Sequence, residues 1–371
     1  MIALDRTQRS LFARWWWTVD RPMLGGLLVL ALAGVVFVFA ASPPVADRLG
    51  VPSLHFATRH LIYLGPALLL LFGTSLLSPR GVYRLAVGLL AVGLLLLALT
   101  LVTGFEVKGA TRWLPIAGIV IQPSEFVKPA LIVVVASLLA RAPGLANARP
   151  ALGLVAVVVG LLLAQPDVGM TLMVIMVTAL QLFLAGLPWL LVIVTGVAML
   201  AALYPAATWF PHVAERIERF LDPGSGDSYQ VDRALEAVRG AQWLGSGPGE
   251  GQVKYHLPDA HSDFVFAVVV EEYGLVVALA LMALFGFLLL RGLFRVGQAQ
   301  DRFTLIAAAG LLCHFGLQAL INLGVTLAVV PTTGMTLPFI SYGGSSLCAL
   351  SLAMGLFLAL TRRRATLAGL P

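Results

Sequence analysis

Charge is scarce in this chain: only 11% of its 371 residues are Asp, Glu, Lys or Arg, against 59% hydrophobic residues. A water-soluble domain carries about 25% charged residues, so this composition excludes a globule with a polar surface and requires a lipid solvent. Cysteine is nearly absent. Cys313 and Cys348 both sit in apolar stretches, which reads as packing and excludes a disulfide framework. Histidine is also rare, and His256, Asp259 and His261 lack the repeated ligand spacing of a zinc centre. His261, Ser262 and Asp263 form no hydrolase triad either, because consecutive residues cannot converge as nucleophile, base and orienting group. The glycine-rich run Gly245 to Gly251 (GSGPGEG) has no strand before it and no βαβ unit around it, so it is read as a flexible connector rather than a dinucleotide loop. There is no convincing internal repeat or low-complexity tract.

What the sequence does have is long apolar windows, such as Met23 to Ala41, Val82 to Thr103 and Phe264 to Leu290. Each reaches the ~20 residues needed to cross a bilayer. Ten spans are predicted, over 23–42, 60–77, 82–103, 123–140, 150–165, 168–186, 189–205, 264–290, 303–328 and 345–361. The expected fold class is therefore all-α, a polytopic integral membrane protein of about ten transmembrane helices in one domain, 1–371. Residues 1–22 and 362–371 read as cytoplasmic tails, and 206–262 as a large outer loop between helices 7 and 8. No cleaved signal peptide is expected, since the first apolar window follows a long segment bearing Arg and Trp.

The formal net charge of +6 could point to nucleic acid, but the basic residues fall where a membrane sorts them. One set of loops holds Arg6, Arg9, Arg14, Arg21, Arg80, Arg84, Arg141, Arg149, Arg291, Arg295, Arg302 and Arg362 to Arg364. The opposite short loops hold only Arg48, Arg59, Lys108 and Arg112, an asymmetry that places both termini in the cytoplasm. No nucleic-acid partner is expected. Trp15, Trp16 and Trp17 are read as anchors at headgroup level. In the large loop, His212 to Leu221 suits a helix lying on the membrane, with Val213, Ile217 and Phe220 on one face; a second helix is expected over Gln230 to Leu244.

Ionisable residues inside spans are costly and mark function. Nearly all of them lie toward the outer face. Glu125 and Lys128 share one helical face, as an ion pair or as substrate contacts. Asp167 follows Gln165 and Pro166 in a tight turn and reads as a cap for the next helix. His314, Gln318 and Asn322 recur every four residues and make a polar stripe for bonding across helices. Asp263 ends the outer loop and opens span eight, where an N-cap and a functional carboxylate are both open readings. Glu271 and Glu272, deeper in the same span, need partners, a wet cavity or protons.

Seven segments together resemble a known family: GATRW (Gly109 to Trp113), QPSEFVK (Gln122 to Lys128), QPDVG (Gln165 to Gly169), FLDP (Phe220 to Pro223), LPDAHSDF (Leu257 to Phe264), EEYG (Glu271 to Gly274) and PTTGMTLPFISYGGSS (Pro331 to Ser346). They are similar to the SEDS proteins of shape, elongation, division and sporulation. Thr336 and the loop from Tyr229 to Lys254 resemble the division branch, FtsW, of alphaproteobacteria, with the elongation branch, RodA, next. That loop departs from the commoner family pattern at Arg233-Ala234 and Arg239 to Gln242.

The resemblance implies an inverting peptidoglycan glycosyltransferase that polymerises lipid II at the outer face of the bacterial cytoplasmic membrane. It would act at the division septum with an FtsI-like class B penicillin-binding transpeptidase and other divisome proteins. Asp263 matches the family's essential outer-loop Asp and would be the general base. Trp113, Glu125, Lys128, Glu271 and Ser341 fall in the matched motifs and are expected to contact the substrate, and Arg112, Lys128, Arg216 and Lys254 are candidate cations for the leaving pyrophosphate. No cofactor is required by this reading and no metal ligand is assigned, although a divalent cation, Mg2+ or Mn2+, could assist the pyrophosphate. A lipid II flippase and a scaffold for the transpeptidase are the rival classes. Flipping needs access from both sides, whereas the polar residues gather on one. Gly343, Gly344 and their small neighbours are expected to open a groove for the polyprenyl tail.

Overall fold

A computed structural model of the protein describes residues 11–107, 110–116, 118–141, 145–201 and 229–363. The helices are α1 Leu11–Thr18, α2 Arg21–Arg48, α3 His55–Ser75, α4 Pro79–Thr103, α5 Pro123–Leu139, α6 Leu145–Ala164, α7 Val168–Leu184, α8 Trp189–Ala201, α9 Tyr229–Arg239, α10 Val265–Val296, α11 Arg302–Thr326 and α12 Gly344–Leu360. Each of the ten predicted spans coincides with one helix, α2–α8 or α10–α12. Five of these, α2, α3, α4, α10 and α11, are long and apolar enough to cross a membrane on those grounds alone. The protein is an integral membrane protein.

Local chemistry sets the helix starts. Asp20 accepts from the Met23 N–H at 3.0 Å, Ser78 from Gly81 at 3.1 Å, Asp167 from Met170 at 3.3 Å and Asp301 from Thr304 at 2.8 Å. Each side chain satisfies an amide that the first helical turn leaves without a partner. Asp167 is thus the cap expected of it. Burial then sorts the helices into layers. Along α5, α11 and α12 most side chains are buried, whereas α3, α4 and α10 turn rows of Leu, Val and Phe outward, where only lipid can cover them. Gly355 lets α12 press on α3: a Cβ there would collide with Thr74 Oγ1 and the Leu71 carbonyl.

Read in alternation, the helices gather α1 and the arginine-bearing turns at one end. The segments 49–54, 104–107, 110–116, 118–122, 165–167, 240–264 and 327–343 gather at the other. At the arginine end, Asp20 is buried and accepts from Arg291 at 2.9 and 3.0 Å and from Arg295. Burial alone would raise its pKa. The hydrogen bonds from Arg291, Met23 N–H and Arg295, with the Arg295 charge, outweigh it and hold the carboxyl below the usual range.

Three local expectations change, and a fourth falls outside the described residues. Residues 105–121, read without strands, form an antiparallel sheet of β1 Phe105–Val107, β2 Ala110–Ile116 and β3 Ile119–Ile121 in the order β1-β2-β3. Trp15 is no headgroup anchor: it is buried, and its Nε1 donates to Ser75 Oγ at 2.9 Å, fastening α1 to α3. Trp17 remains exposed, and Arg21 lies over both Trp16 and Trp17. The helix expected to reach Leu244 ends at Arg239, where Gly240 interrupts it. The surface helix expected over His212 to Leu221 lies outside the described residues, as do Arg216 and FLDP.

Candidate functional site

The loop-rich end is organised around a break in α10. Gly274 has φ 80 and ψ 176, a conformation that L side chains rarely adopt, so the helix is two rods joined there. The amides of Leu275 and Val276 lose their helical carbonyls at such a break. They donate instead to Gln242 and Trp243 carbonyls at 3.1 and 3.2 Å. In return Ser246 and Gly247 amides donate to the carbonyls of Glu271 and Glu272 at 2.9 and 3.0 Å. GSGPGEG is therefore no flexible connector. Its glycines admit main chain against main chain, since a Cβ on Gly245 or Gly274 would strike the opposite backbone.

The two adjacent carboxylates of α10 also find partners here. Glu271 accepts from the amides of Gln252, Val253 and Lys254 at 2.6, 2.7 and 3.1 Å. Glu272 is fully buried and pairs with the equally buried Lys254, while accepting from the Gly249 amide at 3.0 Å. Lys254 Nζ donates further to the carbonyls of Gly249 and Ala40 at 3.3 and 3.4 Å. A substrate contact was expected of both Glu271 and Lys254; the structure directs both into fixing residues 249–256 against α10.

Asp263 stands at the end of that loop, half-buried, just before the N-cap Phe264 of α10. The cap reading fails, since α10 starts one residue later without a side-chain cap. Asp263's main chain is held instead. Asn322 Nδ2 donates to its carbonyl at 2.8 Å and to the Met335 carbonyl at 2.7 Å. Ser341 Oγ donates to the Ser262 carbonyl at 2.6 Å and accepts from the Leu337 amide at 2.8 Å, and the Tyr342 amide donates to the His261 carbonyl at 2.9 Å. Ser341 is thus a buried clamp. The Asp263 carboxylate lies toward the Gly334 turn, where an added Cβ would come 3.9 Å from Oδ2.

The segment 331–346 joins the remaining motifs. Ser345 Oγ accepts from the Gln122 amide at 3.0 Å, at the start of α5. Gln318 donates to Ser346 Oγ at 3.1 Å and to the Thr336 carbonyl at 3.2 Å, so two members of the α11 stripe bond across elements as expected. His314, the third, is buried deeper and lines a small cavity of about 10 Å³ with Lys128, Thr178 and Gln181. Lys128 pairs with Glu125 at 2.9 Å and contacts Met170 Sδ at 3.1 Å; both charged groups are buried. Arg112 on β2 reaches Asp167 at 3.5 Å and donates to the Pro166 carbonyl at 3.0 Å. Trp113, beside it, is half-buried and pairs in register with Phe105. Gly343 and Gly344 open no groove for a tail: Thr336 and the Tyr63 ring occupy the space a Cβ would need.

Three features of this end escape the sequence reading. Arg48 donates to the carbonyls of Leu257 and Pro258 and fixes the loop to α2. Arg59 lies beside the Tyr342 hydroxyl and acts on it electrostatically. Phe56 and Tyr342 stack on His261 at centroid distances of 4.2 and 5.3 Å. The available signal was the rule that ionisable groups in spans mark function; starting span two at residue 60, rather than at His55, left Phe56 and Arg59 in a turn. Among the described residues no three His, Cys, Asp or Glu side chains converge as a metal site. The donors around Asp263 do not fit a dedicated divalent-ion cage.

Comparisons with known proteins agree on one family. The family described as cell cycle protein, FtsW/RodA/SpoVE, matches residues 21–366. A probable peptidoglycan glycosyltransferase FtsW of Caulobacter vibrioides is 43% identical over 367 residues, covering 98% of this chain and 94% of that protein. A chain from a structure titled "Structural coordination of polymerization and crosslinking by a peptidoglycan synthase complex" aligns with TM-score 0.74 and 34% identity over 93% of this chain and 98% of its own. The crystal structure of Thermus thermophilus Rod shape determining protein RodA aligns with TM-score 0.68 and 31% identity, over 93% and 97%.

Proposed function

The chain belongs to the FtsW/RodA/SpoVE family of cell cycle proteins, the SEDS proteins, and from that premise we propose that it is a peptidoglycan glycosyltransferase polymerising lipid II in cell division. The observation that carries the proposal is Asp263: a half-buried carboxylate whose own main chain, and that of its two predecessors, is held by Asn322, Ser341 and Tyr342. Fixed backbone with an accessible side chain is what a general base requires. The division reading is supported by the 43% identity to an FtsW, against 31% to a RodA.

In the reaction the acceptor's sugar 4-hydroxyl attacks the anomeric carbon of a second lipid-linked disaccharide. Asp263 takes the hydroxyl proton as the new glycosidic bond forms, and the bond to the polyprenyl pyrophosphate breaks with inversion. The leaving group departs as an anion, so it needs cations near its exit. Arg112 retains an exposed edge beside Asp167 for that role. Arg216 keeps its candidacy on sequence grounds alone. Glu125 and Lys128, Lys254 with Glu272, Glu271 and Ser341 position the segments around Asp263, and Trp113 offers a half-buried ring on β2.

The arginine end faces the cytoplasm with both termini, by the positive-inside bias, and the site end faces outward from the inner membrane at the septum. Residues 1–371 form a single domain. Lipid II is the substrate, and an FtsI-like class B transpeptidase and further divisome proteins are the partners. The purified chain with its transpeptidase, given lipid II in proteoliposomes, is expected to make glycan strands. Lipid scrambling without glycan would instead establish the flippase reading.

A further inference from the structure

The basic side chains at the site end differ in what already neutralises them. Lys128 faces Glu125, Lys254 faces Glu272, and Arg112 faces Asp167. Arg48 is committed to the main-chain carbonyls of Pro44, Leu257 and Pro258. Arg59 is different: it is exposed, and among the described residues its partner is a neutral phenol, Tyr342. An arginine beside a neutral hydroxyl keeps its full positive charge and its donors.

Position adds a second argument. Arg59 lies in the second turn of α3, about 6 Å along the axis from His55, while Leu61 and Ile62 beyond it are exposed apolar side chains. That is the depth where a lipid's charged group sits while its tail enters hydrocarbon. Phe56, Arg59 and Tyr63 lie on one face of α3 by their spacing. Phe56 and Tyr342 enclose His261, two residues before Asp263. The same Tyr342 bonds the His261 carbonyl through its amide, so the arginine and the carboxylate are tied to one loop.

We propose that Arg59 and the Tyr342 hydroxyl form an anion subsite that takes the pyrophosphate of a polyprenyl-linked substrate, with the Phe56–His261–Tyr342 ring cluster as its wall. It rests on the glycosyltransferase reading for the identity of the lipid, but not for the existence of the site. Arg59 offers two parallel donors to the phosphate oxygens, and the phenol adds a third. The site would hold a substrate that polymerisation consumes, and would also retain the lipid pyrophosphate that it releases.

The test uses the full chain with its transpeptidase in nanodiscs, comparing wild type with Arg59→Gln, Arg59→Lys and Tyr342→Phe. Retention of radiolabelled undecaprenyl pyrophosphate should fall about tenfold or more in Arg59→Gln, the loss expected for a charge-assisted contact. It should recover in part in Arg59→Lys and change least in Tyr342→Phe. The KM for lipid II should rise in the same order while kcat holds within about twofold. Inorganic pyrophosphate should compete weakly and undecaprenyl monophosphate less than the pyrophosphate. Wild-type retention in Arg59→Gln overturns the proposal. So does a loss that follows phosphatidylglycerol content alone, which makes Arg59 a general headgroup contact, or one that follows a lowered melting temperature. If no protein makes glycan, the glycosyltransferase reading falls, and the retention measurement still decides the subsite.

Discussion

The two ends of the bundle handle charge in opposite ways. At the end bearing α1, the described residues include Arg14, Arg21, Arg80, Arg84, Arg141, Arg149, Arg291, Arg295 and Arg302, against two acids, Asp20 and Asp301. The buried contact gathers two of these arginines on Asp20, and Arg302 donates to the Ala185 carbonyl at 2.8 Å. At the opposite end, cations and carboxylates are matched singly and buried: Lys128 with Glu125, Lys254 with Glu272. An unbalanced end can set orientation by its sum. A balanced end can hold a water-facing loop at a fixed geometry, because each buried charge fixes one partner in place.

If the balanced end is a catalytic mouth, its largest response is to the loss of one carboxylate. Asp263→Asn should lower glycan synthesis from lipid II by about 10²-fold or more, the range for a general base, with an unchanged melting temperature. Full activity in that variant would remove Asp263 from the chemistry. Next comes the buried pair. Lys254→Met leaves Glu272 charged without its buried cation and should destabilise by about 3–5 kcal/mol, read as thermal unfolding in detergent. The double variant Lys254→Met/Glu272→Leu should recover much of that loss, and a double variant no better than the single one would deny the pair its role. Gly274→Ala forces a Cβ into the Trp243 carbonyl at positive φ and should cost about 1–3 kcal/mol, with a matching fall in activity as residues 242–247 shift.

The smallest effect belongs to the other end. The Asp20 carboxyl is held below its ordinary range, so its stabilisation is complete above the unfolded-state pKa and is lost as pH falls through the lower folded value. Wild type should therefore exceed Asp20→Asn in melting temperature at neutral pH, and the difference should vanish in acid, below the ordinary aspartate value of 3.8. A difference independent of pH would assign the effect to packing.

The ten spans were legible because hydropathy is local and lipid enforces it. Asp167 as a cap was legible for a similar reason, since a cap needs only its own turn. The sheet at 105–121 was not, because its strands are short and its alternation weak beside the apolar runs that flank it. Trp15 could not be assigned from sequence, since its indole finds Ser75, sixty positions away. Separation along the chain likewise hid the fate of Lys254 and Ser341: each looked like a contact for substrate, yet their partners are Glu272 and the Ser262 carbonyl. Candidate chemistry was visible as residue type and depth, whereas the division between contact and support depends on long-range partners. Arg59 was missed by the reverse error, a span boundary drawn five residues late.

The exchange at the break in α10 is made by main-chain atoms, joined by one bond from Ser246 Oγ to the Glu271 carbonyl at 3.1 Å, and Trp243 and Leu244 are left 69% and 79% exposed. Replacing either side chain should therefore leave the join intact. Adding or removing a single residue between Gln242 and Gly247 should not, because it would move every carbonyl and amide out of step with the helix break. At this join the chain is constrained in length rather than in lettering.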